Sequence, residues 1–156
     1  MPQPVVHATF VIERTYPQPV EKVFAAFADS ATKRRWYAPG DPQGDSAYEN
    51  DFRLGGIERS RAIMGDKTPF SGAVLSSEAV YLDIVPNSRI VTGSNMMMNG
   101  TPFSGSLLSF EFAADGNGTR LTCTHQGAFF ENSDGPQMRE HGWGDLFNRL
   151  GEALAS

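Results

Sequence analysis

Only one of the 156 residues is cysteine, Cys123, so no internal disulfide can brace the fold. It falls in an alternating strand pattern, where a small buried hydrophobe is the expected role and a reactive thiol the exception. Long apolar runs are missing as well. None approaches the roughly 18 residues of a membrane span, and the opening MPQPVVHATFVIERTY has no basic region followed by an apolar core. The expected location is therefore cytoplasmic, without membrane insertion. Positive charge is scarce: 13 Lys and Arg face 18 Asp and Glu for a net charge of −5, and the basic cluster is limited to Lys33-Arg34-Arg35. Phosphate binding rests on concentrated positive charge, so nucleic acid is not an expected partner. The histidines, His7, His125 and His141, share no i, i+4 or cysteine-containing spacing, which removes the usual zinc patterns. No Gly-Xaa-Ser-Xaa-Gly elbow, Walker loop or dinucleotide fingerprint occurs. No metal or cofactor is expected, and no catalytic residue is assigned.

What is present fits one globular domain over 1–156, with 40% hydrophobic and 20% charged residues. Ala8, Phe10, Ile12 and Tyr16 alternate with Thr9, Glu13 and Thr15, predicting a half-buried strand from His7 to Tyr16 with Val11 as the apolar exception. Pro17 and Pro19 end it. Val20, Val23, Phe24 and Phe27 then follow at helical spacing to about Ala28. Asp29 or Ser30 caps a second short helix through Lys33 to Tyr37, which Pro39-Gly40-Asp41-Pro42 stops.

From Tyr48 to Gln126 come the extended segments YENDFRL, IERSRAIM, FSGAVLSSEAVYLDIV, RIVTGSNMMM, SGSLLSFEFA and TRLTCTHQ. Short turns join them at Gly55-Gly56, Gly65 to Pro69, Pro86-Asn87-Ser88, Asn99 to Pro102 and Asp115 to Gly118. They predict an antiparallel meander of about five or six strands. A final helix, with Ser133 or Asp134 as its cap and Pro136 in its first turn, carries Met138, Trp143, Leu146, Phe147, Leu150 and Leu154 as an apolar stripe. Arg139, Glu140, Asp145, Arg149 and Glu152 occupy its polar side. One apolar face needs a partner surface, and the long sheet is the only large candidate.

TPFSG occurs twice, at Thr68–Gly72 and at Thr101–Gly105. A helical repeat array needs at least about three copies, and no pair of amphipathic helices lies between these two. Two strands leaving one rim of the sheet is the simpler reading, with Phe70 and Phe103 expected near one another.

The order of elements, with FVIERTYPQPVEKVFAAFADSATKRRWYAP, YLDIVPNSRIV, GTRLTCTHQGAFFE and REHGWGDLFNRLGEAL, resembles the START-related SRPBCC superfamily. The similar branch is the one named for the activator of the ninety-kilodalton heat-shock-protein ATPase. That resemblance covers almost the whole chain and implies an α+β helix-grip fold, a bent antiparallel sheet wrapped around a long C-terminal helix. It also implies a cavity between them that accepts a small hydrophobic or aromatic molecule. The family shares no catalytic motif. A polyketide cyclase- or aromatase-like enzyme and an interaction domain working on a chaperone are the alternatives, and exposed edge strands leave a homodimer open.

Residues placed nearest the expected pocket are Trp36, Phe52, Tyr81, Met96, Phe110, His125, Trp143 and Phe147. His125 shares the apolar face of its strand with Leu121 and Cys123, where it either meets a ligand or is satisfied by a neighbouring element. Arg53, Glu58, Arg59 and Arg61 would clamp or deprotonate a ligand if turned inward. Solvated charges on an edge are the simpler account for those four.

Overall fold

The computed structural model describes residues 2–40, 47–66 and 69–156. The first strand, β1 (Val6–Tyr16), is followed by α1 (Val20–Ala28) and α2 (Ser30–Tyr37). Then come β2 (Ala47–Asn50), β3 (Ile57–Ile63), β4 (Val74–Val85), β5 (Arg89–Met98), β6 (Thr101–Asp115), β7 (Gly118–Phe129) and α3 (Pro136–Ala155). Among the described residues the seven strands form one antiparallel sheet in the order β1-β7-β6-β5-β4-β3-β2. The meander from β2 to β7 is the predicted one. The first two helices carry the chain from one edge of the sheet to the other, and α3 packs against β1, α1 and α2. This is the helix-grip arrangement. No described helix is long and apolar enough to cross a membrane.

Local chemistry sets the elements. Asp29 caps α2 by accepting from the Thr32 amide at 3.0 Å. Asn99 and Gly100, with φ of 51° and 82°, make the two-residue hairpin between β5 and β6 that right-twisted strands prefer. Tyr16 donates to the Phe147 carbonyl at 2.9 Å and Lys22 to the Leu154 carbonyl at 3.0 Å, fastening α3 across the first strand and helix.

Several expectations are corrected. β2 stops at Asn50, because the Arg53 amide turns back to the Asp51 carbonyl and the Gly56 amide to the Arg53 carbonyl. A Cβ at Gly56 would lie 2.0 Å from the Asp51 oxygen, so this tight turn admits glycine alone. The cap of α3 is Gly135, with φ of 84°, and neither Ser133 nor Asp134 fills that role. Asp134 is held instead by Arg139, at 2.8 and 2.9 Å. The apolar stripe of α3 shifts accordingly: Met138 is 68% exposed and Arg139 only 7%. Arg139 lies 5.2 Å from the Phe129 ring centroid and 5.9 Å from that of Phe103, and donates to Ser104 at 2.9 Å.

The TPFSG copies part company. Both β4 and β6 start beside Met98, which pairs with Leu75 and with Thr101, so the shared rim is real. Phe70, however, sits in the turn before β4 and is 56% exposed, whereas Phe103 lies within β6, buried beneath Arg139. Thr68, like the expected turn residues Asp41, Pro42 and Lys67, lies outside the described residues.

Gly127 illustrates how tightly β7 is packed. The rings of His125 and Phe129 lean together across it, and an added Cβ would meet them at 2.8 and 2.7 Å. Gly127→Ala is expected to cost about 2 kcal/mol by overpacking. Gly142→Ala on α3, where a Cβ meets nothing within 4 Å, is expected to gain about 0.5–1 kcal/mol. Urea midpoints at unchanged slope check both.

Candidate functional site

Strand register determines which side chains share the helix-facing side of the sheet. Ser60, Ser77, Met96 and Ser104 form one row across β3 to β6. Glu58, Ala79, Ser94, Ser106 and Gly127 form the next. Further along, Tyr81, Thr92, Leu108 and His125, then Ile84, Ile90, Phe110 and Cys123, restore bulk. Apart from Met96 and Glu58, and before Phe129 closes the first row on β7, two rows of small side chains therefore lie where a sheet packed only for stability would carry Val, Leu or Phe.

The first consequence is a void of about 30 Å³ beneath α2, lined by Phe27, Phe52, Tyr81, Phe110 and Trp143 together with Lys33, Glu58, Thr92 and Ser94. Helical spacing puts Lys33, Trp36 and Tyr37 on one side of α2, so Lys33 enters the interior beside two rings. Its Nζ is 2.7 Å from Glu58 Oε2, with both side chains 5% exposed. The Tyr37 ring centroid is 4.6 Å from the same ammonium. Tyr48 donates to Glu58 Oε2 at 2.5 Å, and Tyr81 donates to Asn50 Oδ1 at 2.6 Å. The other amide atom, Asn50 Nδ2, is buried without a partner. Burial first, and the Glu58 carboxylate second, push the phenols of Tyr37, Tyr48 and Tyr81 far above their ordinary range. All three are neutral hydrogen-bonding groups at physiological pH.

The second consequence is a groove of about 300 Å³ beside that void. Ala38 and Pro39 after α2, Ala62 of β3, Leu75 of β4, Met96 of β5 and Leu146 of α3 give it apolar walls. Ser60 and Ser77, 2.7 Å apart, line its sheet side, and Arg61 and Ser76 also border it, which brings one of the four candidate charges to the groove. Tyr37 lines both spaces and hydrogen-bonds Ser77. Its ring borders both a water-sized, mostly apolar void that holds the Lys33–Glu58 pair and a larger, more open groove.

Of the residues expected near a pocket, Phe52, Tyr81, Phe110 and Trp143 line the void and Met96 lines the groove. Trp36 lies behind them, fully buried, its indole donating to the Ala26 carbonyl at 2.9 Å. Phe147 packs against Trp143 with ring centroids 5.5 Å apart. His125 belongs to a different cluster, stacked on Phe10 at 4.6 Å, and neither ring nitrogen has a hydrogen-bond partner. Arg53 is a surface residue paired with Asp51, and Arg59 pairs with Glu78 at 2.8 Å. Glu58 overturns the solvated-charge expectation, because Lys33 neutralises it inside. Burial pushes the Cys123 thiol up to about 12, which leaves it a packed hydrophobe without thiolate character.

Sequence reasoning missed Lys33, Tyr37, Tyr48 and the serine rows, and it named Glu58 as a base if turned inward but favoured a solvated charge. A signal was there for most of them. Lys33 stands three and four positions before Trp36 and Tyr37, and Glu58 alternates with Ser60 and Ala62, so small neighbours marked its face as the sheltered one.

Similarity to known proteins agrees with this architecture. Over 97% of this chain and 99% of its own, the Mll3558 protein from Rhizobium loti is 44% identical, with a TM-score of 0.87. A protein from Rhizobium leguminosarum is 33% identical over 97% of both chains, with a TM-score of 0.89. DynU16, described as a protein in the dynemicin biosynthetic locus, shares the fold at 17% identity and a TM-score of 0.64, covering 95% of this chain and 47% of its own. No curated protein matches the chain. The family described as activator of Hsp90 ATPase homolog 1-like protein matches residues 17–155. With that match spanning nearly every element of a helix-grip fold, the chain belongs to this family within the SRPBCC superfamily.

Proposed function

We propose that this protein binds a small hydrophobic or aromatic molecule in the groove between the end of α2, strands β3 to β5 and α3. The observation that carries the reading is the pair of small-residue rows on the helix-facing side of the sheet, next to buried, incompletely partnered polar groups. Interiors built for stability alone are close-packed, whereas ligand sites combine apolar walls with a few convergent polar groups. Native mass spectrometry of protein purified from its own host is expected to show an added small-molecule mass. Ala62→Trp, which fills the groove from its rim, is expected to lose that mass while folding normally. A bare mass for the wild type, with no response to aromatic probes, would sink the reading.

An enzyme of the cyclase or aromatase kind is the second reading. Lys33 and Glu58 in the adjoining void, with Tyr48 bonded to Glu58 from outside it, put a proton donor and acceptor within hydrogen-bonding distance of one another. It draws no support from His125 or Arg53, which lie elsewhere. Turnover of a bound polyketone that persists in Glu58→Gln would dismiss this acid–base assignment.

A further inference from the structure

We infer that the ligand meets the Lys33–Glu58 pair with one uncharged oxygen, a phenolic hydroxyl or an aryl ketone carbonyl, carried on a flat apolar body; this rests on the small-molecule reading above. Size is the first argument. The void beside the pair is about 30 Å³ and the adjoining groove about 300 Å³. The larger space takes a ring system. The smaller one holds about one water's worth of matter, so it suits a single oxygen and excludes a phosphate or sulfate.

Charge is the second. Lys33 and Glu58 cancel one another, and Tyr37, Tyr48 and Tyr81 stay neutral. A carboxylate head would be pressed against the Glu58 carboxylate, and an ammonium head against Lys33. Hydrogen bonding is the third. The Lys33 ammonium has three donors, and the hydroxyl-bearing side chains of Thr92 and Ser94 line the same void. An oxygen satisfies these groups, whereas a hydrocarbon edge would displace any water from them and give nothing back. Tyr37 lines both spaces, so a ligand that spans them meets its ring.

The test uses three probes with one body: naphthalene, 2-naphthol and 2-naphthoate, titrated into the full chain at neutral pH and followed by backbone amide NMR. The hydroxyl compound is expected to bind at least about tenfold more tightly than either of the others, since a site built for a hydrogen bond rejects analogues that lack it. Shifts should centre on Lys33, Tyr37 and Glu58. Glu58→Ala alone leaves a buried charge and risks unfolding, so the comparison is with Lys33→Met/Glu58→Leu, which keeps the volume and removes both charges. In that variant the hydroxyl advantage is expected to vanish while naphthalene still binds.

Equal affinities, a preference for naphthoate, or a hydroxyl advantage that survives the double substitution would each overturn the inference and leave the groove as a binding site. If none of the probes shifts any amide around the groove, the small-molecule reading falls and this inference with it.

Discussion

Glu58→Ala is expected to cost about 3–5 kcal/mol of folding stability, because it strands the Lys33 ammonium in the interior without its counter-charge. The two groups are 2.7 Å apart with side chains 5% exposed, so water cannot take over the role of the lost carboxylate without entering the core. Tyr48 would lose its acceptor in the same step. Lys33→Met/Glu58→Leu is expected to behave in the opposite way. Exchanging a buried pair for hydrocarbon of similar volume is commonly neutral or stabilising, by about 1–4 kcal/mol. The Tyr48 hydroxyl left without its acceptor takes back about 1 kcal/mol of that, so the double variant is expected near or above wild-type stability. Urea denaturation of the wild type, Lys33→Met, Glu58→Leu and the double closes a double-mutant cycle, which isolates the coupling from the separate desolvation costs. A loss below about 1 kcal/mol for Glu58→Ala would show that the pair is already hydrated, and that the void beside it carries water out to the groove.

That double variant bears on function as well as stability. If two hydrocarbon side chains serve folding equally well, stability does not account for a lysine turned inward at this point of α2. The proposed ligand, which needs a donor and an acceptor side by side, would account for it. Stability and binding are then expected to move in opposite directions when the charges are removed, the usual pattern where a site trades packing for recognition.

The fold was legible in the sequence because its signals are local and repeated. Alternation along Ala8, Phe10 and Ile12 gave β1, Asn99-Gly100 gave a hairpin, and Pro19 and Pro136 gave two helix starts, each readable without knowledge of the rest. Half of the site residues named from sequence also line the void, namely Phe52, Tyr81, Phe110 and Trp143, since large rings on the inner face must border any space the sheet and helices leave. What escaped was charge. Lys33 stands beside Arg34 and Arg35, and Glu58 beside Arg59, so each looks like part of a solvated run when taken singly. Their partnership joins α2 to β3 across the interior, a contact between distant segments that alternation and helical spacing do not report. Arg139 escaped for the same reason, its burial depending on Asp134 before the helix and on Ser104, Phe103 and Phe129 from the sheet.

His125 gives the other large effect, as a function of pH. Burial first, and the Arg139 charge second, lower its pKa to about 4 in the folded protein, while in the unfolded chain it titrates near its ordinary value of about 6.5. Above about pH 6.5 the ring is neutral in both states and its full contribution to stability is present. As the pH falls from about 6.5 towards 4 the unfolded chain takes up the proton and the folded one refuses it, so stability declines by about 3 kcal/mol across that window. Below the folded pKa both states are charged and this contribution is flat. Asp134 adds to the loss at lower pH. Burial opposes its ionisation, but the Arg139 hydrogen bonds and charge hold its pKa below the usual carboxylate value, and what it contributes disappears as the pH drops through that lowered value. His125→Phe separates the two. The ring stacks on Phe10 at 4.6 Å and leaves both nitrogens unpartnered, so a phenyl group fills the place and gives up no hydrogen bond. The variant is expected to match or exceed the wild type at pH 7 and to lead it by about 3 kcal/mol more at pH 4, as read from urea midpoints at each pH. Parallel profiles for the two proteins would mean that a buried water bonds the imidazole and lets it carry charge inside the fold.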